Sequence, residues 1–196
     1  LDKYNILADE QYGFRSKRST YMALLELTTN LTHALKQKQH TMGIFLDLSK
    51  AFDTIDHNIL LTKLHHYGIR GTALNWFESY LKNRTQSVYA LNSHSSTKEI
   101  NIGVPQGSVL GPLLFIIYMN DITNTTKLLK LILYADDTNI FLSHPDLNSL
   151  YRTMNTELTH ITDWFRANKL SLNVSKTNYM LFSSKAPNHQ NHISID

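Results

Sequence analysis

The stretch Leu128 to Ser143, LLKLILYADDTNIFLS, constrains this chain more than any other. An apolar run (Leu128, Leu129, Leu131, Ile132, Leu133) leads into Tyr134-Ala135-Asp136-Asp137, and a second run, Ile140-Phe141-Leu142, leads out. Both runs have the composition of core strands. They set two adjacent carboxylates at the tip of a hairpin, where ionised groups repel each other and resist burial. A bound divalent cation would account for them, and so would an acidic surface turn. Tight hairpin turns favour Asn-Gly or Asp-Gly, which accept positive φ; Asp136-Asp137-Thr138-Asn139 contains no glycine.

A second acidic position bears on the choice. Thr41 to Leu48, TMGIFLDL, is apolar and of strand length, and Asp47 is its single charged residue. A lone Asp near the end of a buried strand is costly unless it meets a cation or several donors. It either caps the following turn or joins a metal site. In sequence between the acidic strands comes Gly103-Val104-Pro105-Gln106-Gly107-Ser108, whose glycines and proline impose a sharp, exposed backbone. The helix expected next carries Leu110, Leu113, Leu114, Ile117 and Tyr118, so the loop sits at a helix N-terminus. Backbone donors there suit phosphate contact; a plain turn is the alternative.

The other elements follow from periodicity. Gln11-Tyr12-Gly13-Phe14-Arg15 reads as a loop with one permissive glycine. Ser19 or Thr20 caps a helix with Leu24, Leu27, Leu31, Ala34 and Leu35 on one face, ending near Gln39. A helix after His57 turns Ile59, Leu60 and Leu64 inward and stops at Gly68, with Asp53, Asp56 and His57 capping or bracing it. Thr72 to Leu81 is a further helix, with Leu74, Phe77 and Leu81 on one face. Thr85 to Leu91 and Thr97 to Ile102 pair around a polar loop, Asn92 to Ser96. Beyond the acidic hairpin, Leu147, Leu150, Met154, Leu158, Ile161 and Phe165 define a long amphipathic helix starting at Pro145-Asp146. Leu170 to Lys176 turns, Tyr179 to Phe182 is a last strand, and the tail from Ser183 is polar.

Composition removes several classes of function. With no cysteine there is no disulfide, thiolate nucleophile or cysteine-ligated metal. The ten histidines include no HExxH pair, and no G-x-S-x-G elbow occurs. No run reaches the roughly 18 to 20 apolar residues of a membrane span. A net charge of +3 permits a nucleic-acid partner without demanding one. Its basic residues are scattered, with the densest group at Arg15-Ser16-Lys17-Arg18. If the strands carrying Asp47 and Asp136-Asp137 are antiparallel neighbours, three carboxylates converge with no softer ligand nearby, which favours magnesium. Two such ions about 3.5 to 4 Å apart suit an in-line phosphoryl displacement.

Five segments now resemble one family in order. Phe45-Leu46-Asp47-Leu48-Ser49-Lys50-Ala51-Phe52-Asp53 resembles polymerase motif A of reverse transcriptases, Gly103 to Pro112 resembles motif B, and Tyr134-Ala135-Asp136-Asp137 resembles motif C. Gln11 to Arg15 is similar to the fingers-side motif that precedes them, and Leu172 to Thr177 to motif D. The wording is that of non-LTR (LINE-type) retrotransposon enzymes, over about residues 10 to 182.

The resemblance implies an α+β fold: a right-hand polymerase palm, its antiparallel sheet backed by helices in a ferredoxin-like, split βαβ core, with partial fingers. Residues 1–40 would be a fingers segment, 41–184 the palm with motifs A to D, and 185–196 a polar tail leading towards a thumb. The implied activity is RNA-directed DNA polymerisation, in which a primer 3′-hydroxyl attacks the α-phosphate of a dNTP. Asp47, Asp136 and Asp137 would bind two Mg²⁺ ions, or Mn²⁺ in their place, with the Leu48 carbonyl as an extra ligand. Ala51, Phe52 and Gln106 would line the nucleotide pocket, Phe52 as the steric gate against a 2′-hydroxyl. Pro105 and Gly107 would shape the template contact, Tyr134 would lie beside the primer end, and Arg15 would contact template or fingers backbone. Lys176 would be the general acid for the departing pyrophosphate, its alternative being a solvated loop lysine.

The partners implied are an RNA template, a DNA primer and dNTPs, with no membrane. Further fingers sequence before Leu1, a thumb after Asp196 and an endonuclease domain are expected in the full-length protein, and the element type favours the nucleus. Two alternatives share these motifs: a group II intron-type reverse transcriptase and maturase, and a truncated, inactive nucleic-acid-binding remnant.

Overall fold

The computed structural model describes residues 4–184 and residue 193; the remainder of the expected tail, and residues 1–3, lie outside the described residues. In chain order the elements are α1 (Thr20–Lys36), β1 (His40–Leu46), a 3₁₀ turn (Ala51–Asp53), α2 (His57–His66), α3 (Thr72–Leu81), β2 (Arg84–Gln86), β3 (Tyr89–Ala90), β4 (Ser93–His94), β5 (Lys98–Ile100), α4 (Gly111–Met119), a second 3₁₀ turn (Asn120–Asn124), β6 (Lys130–Tyr134), β7 (Asp137–His144), α5 (Leu147–Ala167) and β8 (Asn178–Phe182). The chain divides into two compact units, Leu1–Ser49 with Met119–Asp196, and Lys50–Tyr118. No helix among the described residues is long and apolar enough to cross a membrane.

The first unit holds a four-stranded sheet in the order β6-β7-β1-β8, with every pair antiparallel. Counting only these strands, the second and third lie on one side of the first and the fourth on the other, which is the expected ferredoxin-like order. Strand alternation sends Met42, Ile44 and Leu46 to one face and Gly43 and Phe45 to the other. Both faces are covered. α5, capped by Asp146 through the amide of Ser149, buries Leu150, Met154, Leu158, Ile161 and Phe165 as their spacing requires, and it packs on β1 and β7.

The opposite face receives α1, whose cap is Ser19. Its fully buried side chains are Ala23 and Ala34; of the expected face, Leu27 packs partly buried against the sheet's cluster and Leu31 is half-buried, while Leu24 and Leu35, at the two ends, are exposed. Ala23 instead packs with Tyr12, Ile132 and Phe141, where the two rings fill the space and leave room for a methyl group. Glu26 ties the helix down, accepting from the Tyr12 hydroxyl and pairing with Lys130. The Lys130 and Tyr12 bonds hold the Glu26 carboxyl below its ordinary range. Burial first, and then the bond to Glu26, push the Tyr12 phenol up to about 12.

In the second unit, α2 and α3 start and end close to expectation, with Asp56 capping α2 through the amides of Asn58 and Ile59. The strand pair after α3 is broken up. β2 pairs with β5, and the tip forms a separate β3–β4 ladder around Leu91-Asn92, both at positive φ. The expected loop of Asn92 to Ser96 thus shrinks to two residues. The break comes where the Ser95 hydroxyl takes the amide of Val88. α4 is apolar all round and its residues from Leu114 to Met119 are buried, as such a helix must be.

Gly43 offers a test of the sheet's packing. An added Cβ would lie 2.7 Å from Phe141 Cε1 and 3.4 Å from Phe182 Cε2. Gly43→Ala is expected to lower stability by about 1 to 3 kcal/mol, with a smaller loss when Phe141→Leu is also present, read from urea unfolding midpoints.

Candidate catalytic site

The β1–β7 register decides where the acidic residues stand. Phe45 pairs with Asn139 and Leu46 with Thr138. One further step along both strands sets Asp47 opposite Asp137, and residues directly opposite share a face. The condition set by the sequence, that the two acidic strands be antiparallel neighbours, is met. The hairpin closes at Tyr134–Asp137, so its turn is Ala135-Asp136 and Asp137 begins β7. Counted over four residues, the turn is Tyr134 to Asp137, two residues earlier than Asp136 to Asn139. Ala135 has φ 57° and is the only one of the two turn residues at positive φ, the pattern of a II′ turn that normally takes glycine.

Asp47 and Asp136 are partly buried, and Asp137 is solvent-accessible. The Asp137 carboxyl is nevertheless raised above its ordinary value, first by desolvation and then by the charges of Asp136 and Asp47. The three groups thus act on one another. Among the described residues, however, no three His, Cys, Asp or Glu side chains are drawn together into a ready metal-binding group. The convergence expected from the sequence is electrostatic, without a closed ligand shell. As an all-oxygen donor set with no softer ligand among them, the three carboxylates fit a hard divalent ion.

Motif D backs onto motif A. Ser49 N–H donates to the Ser171 carbonyl and Asn173 N–H to the Asp47 carbonyl, both at 2.8 Å, around a Leu48–Leu172 bridge. The Thr177 hydroxyl accepts from the Asp47 amide at 3.4 Å. In such a ladder Leu48 turns its own carbonyl away from residue 172. Lys176 sits in the exposed turn that follows, its amide bonded to the Asn173 carbonyl.

The segment Glu10 to Gly13 runs parallel to the end of β6. Leu133 N–H donates to Glu10, and Tyr12 N–H to Leu133, at 2.8 Å each. Gly13 is needed for close approach rather than for a special φ: a Cβ there would fall 2.2 Å from the Ala135 nitrogen. Arg15 donates to the Ala8 carbonyl at 2.6 Å, a contact within its own segment. Tyr134 packs on the Tyr12–Phe141 cluster. The sequence reading passed over Gln11, which is 2% exposed and bonded to Ala135 in the acidic turn; a lone polar residue in a loop carries no periodic signal.

The second unit carries the remaining residues. Ala51 is buried, and Phe52 stacks on Phe115 with ring centroids 4.5 Å apart. The Gly103 loop is laced to the 3₁₀ turn: Val104 N–H donates to Phe52 and Gly103 N–H to Ile55. His57 Nε2 bonds the Gly103 carbonyl at 2.7 Å, and Gln106 Nε2 donates to Asp53 Oδ1 at 2.7 Å. Gly103 has φ 85°, and a Cβ would meet the Asp53 carbonyl at 2.8 Å. Gly107, at φ 79°, faces open space. Ser108 Oγ accepts from Gly111 N–H at the start of α4. Asp53, Gln106, Pro105, Lys50 and Arg84 line one cleft of about 630 Å³.

A carboxylate pair on a β-hairpin, beside a third on the neighbouring strand of a ferredoxin-like sheet, defines a polymerase palm. The chain belongs to the reverse transcriptase (RNA-dependent DNA polymerase) family, whose model matches residues 1–193, as the motifs implied. It is 32% identical over 199 residues to the "Probable RNA-directed DNA polymerase from transposon BS" of Drosophila melanogaster, covering 94% of this chain and 21% of that protein. It is 29% identical to the RNA-directed DNA polymerase from mobile element jockey of the same organism, covering 89% and 20%. The chain therefore spans about a fifth of the length of these curated relatives. Among solved structures, apo telomerase from Candida tropicalis, truncated from its C-terminal domain, superposes with a TM-score of 0.65 at 13% identity, over 95% of this chain and 40% of that one. That likeness shows the fold.

The raised Asp137 carboxyl has a sign that can be checked. Its ionised form is disfavoured in the fold, so stability is lost as pH rises from the ordinary carboxylate range through the folded value. With a chelator present, Asp137→Asn is expected to unfold at a higher temperature than the wild type at pH 7, the difference closing near pH 3. Thermal melts at the two pH values measure it.

Proposed function

We propose that this chain is the polymerase core of a non-LTR retrotransposon protein and carries out RNA-directed DNA synthesis, extending a DNA primer on an RNA template with dNTPs. The observation that supports this is the β1–β7 register, in which Leu46 pairs with Thr138, so that one further step along both strands brings Asp47 opposite Asp137. Relatives drawn from transposons and mobile elements favour this over the intron-type alternative.

Asp47, Asp136 and Asp137 would hold two Mg²⁺ ions, with the Leu48 carbonyl as an extra ligand. When bound, these ions supply the charge neutralisation that phosphoryl transfer requires. The chain's own residues do the positioning. Phe52, braced by Phe115, presents a flat ring suited to exclude a 2′-hydroxyl. Ala51 keeps the adjoining wall small, and Gln106, with Pro105 and Gly107, shapes the nucleotide and template contact. Tyr134 lies beside the primer end. Lys176, in its exposed turn, can reach solvent and donate a proton to pyrophosphate. Arg15, which donates to the Ala8 carbonyl, would contact template or the fingers-side backbone. We assign residues 1–40 to the fingers side, 41–184 to the palm and 185–196 to the approach to a thumb; further fingers, a thumb and an endonuclease domain would complete the protein.

In a full-length protein carrying this chain, Asp136→Asn and Asp137→Asn are each expected to lower Mg²⁺-dependent primer extension by more than about a hundredfold. Ordinary extension by both variants would overturn the two-metal reading. Phe52→Ala is expected to raise ribonucleotide incorporation relative to dNTP, measured by competition in single-nucleotide extension; unchanged sugar discrimination would remove the gate.

A further inference from the structure

We propose that Gln11 is a positioning residue for the catalytic turn: its side-chain amide holds Ala135, and through it Asp136 and Asp137, in the arrangement that binds the divalent ion. The inference rests on the metal-site reading above and adds to it a residue outside the motif C strands.

The argument begins with backbone groups that the hairpin leaves over. In a two-residue turn the ladder ends at Tyr134 and Asp137, so it offers no partner to the N–H or the C=O of Ala135. Ala135 is buried, and buried backbone groups must be paired. Gln11 meets both. Its Oε1 accepts from Ala135 N–H at 3.0 Å, and its Nε2 donates towards the Ala135 carbonyl at 3.4 Å. The same Oε1 accepts from Gly13 N–H at 2.7 Å.

Gln11 is itself held. Its amide donates to Ala8, and the bonds of Glu10 and Tyr12 to Leu133 fix the backbone on either side. Gly13 allows the segment to lie against the turn at a distance no Cβ would permit. Ala135, meanwhile, sits at φ 57°, a backbone conformation that is strained for a residue with a Cβ. The turn needs an outside restraint, and one planar amide offering an acceptor and a donor supplies it. Asparagine is one methylene short, and glutamate keeps the acceptor but loses the donor. Groups that orient metal ligands without touching the metal typically govern affinity by 10- to 100-fold.

The test uses the wild-type chain, Gln11→Met, Gln11→Glu, Asp136→Asn and Gly43→Ala, with Mn²⁺ as the probe. Dissociation constants come from electron paramagnetic resonance, and amide exchange is read at Gly13, Ala135 and along α5. Gln11→Met is expected to bind Mn²⁺ at least about tenfold more weakly, with faster exchange at Gly13 and Ala135 and unchanged exchange in α5. Gln11→Glu, which retains the acceptor, should fall between Gln11→Met and wild type. Gly43→Ala weakens the sheet elsewhere and should keep wild-type affinity. Wild-type affinity in Gln11→Met, or a loss no greater than in Gly43→Ala, would overturn the proposal alone. Failure of the wild-type chain to bind Mn²⁺, or equal binding by Asp136→Asn, would overturn the metal-site reading and this proposal with it.

Discussion

Like charges at the ends of neighbouring strands are the constraint on which the first unit is built. Desolvation first, and then the charges of Asp136 beside it and Asp47 on the next strand, raise the proton affinity of Asp137. Such an arrangement persists only if the strands carrying it cannot slip. A shift of one residue between β1 and β7 would exchange every inward and outward side chain. Because α1 and α5 cover opposite faces of this sheet, a slip would misplace two cores at once. The rigidity of the sheet and the charge repulsion at the ends of its inner strands go together, the carboxylates being kept at some cost to the fold.

The second unit solves a different problem. Its loop Gly103 to Ser108 buries Gly103 and Val104 and exposes Gln106 and Gly107, and exposed loop segments drift unless tied. Here Gly103, Val104 and Gln106 are bonded back to residues 52 to 57. The glycine at 103 is needed twice over, for its positive φ and for contact with the Asp53 backbone. Gly107 has the positive φ but open space beside it, which leaves that part of the loop accessible.

Much of this was legible in the chain. The periodicity of α5, the caps at Ser19, Asp56 and Asp146, and the α3 boundaries follow from local chemistry, since helix ends and amphipathic faces depend on neighbours three or four residues away. In α1 the expected face held at Leu27, Leu31 and Ala34, while Ala23 rather than Leu24 met aromatic residues distant in sequence. The β2–β5 region departed because one serine hydroxyl interrupted the ladder.

The sequence by itself determined that two carboxylates would stand at a hairpin tip, that a third would end an apolar strand, and that the motifs fall in the order of a reverse transcriptase. Those are properties of composition and spacing. Only the tertiary structure decided that Asp47 faces Asp137, that Gly13 is required by closeness to Ala135, and that Gln11 meets the leftover backbone groups of the turn. These contacts join residues separated by 90 to 124 positions, and hydrogen bonds between backbone and a distant side chain leave no repeating trace in sequence.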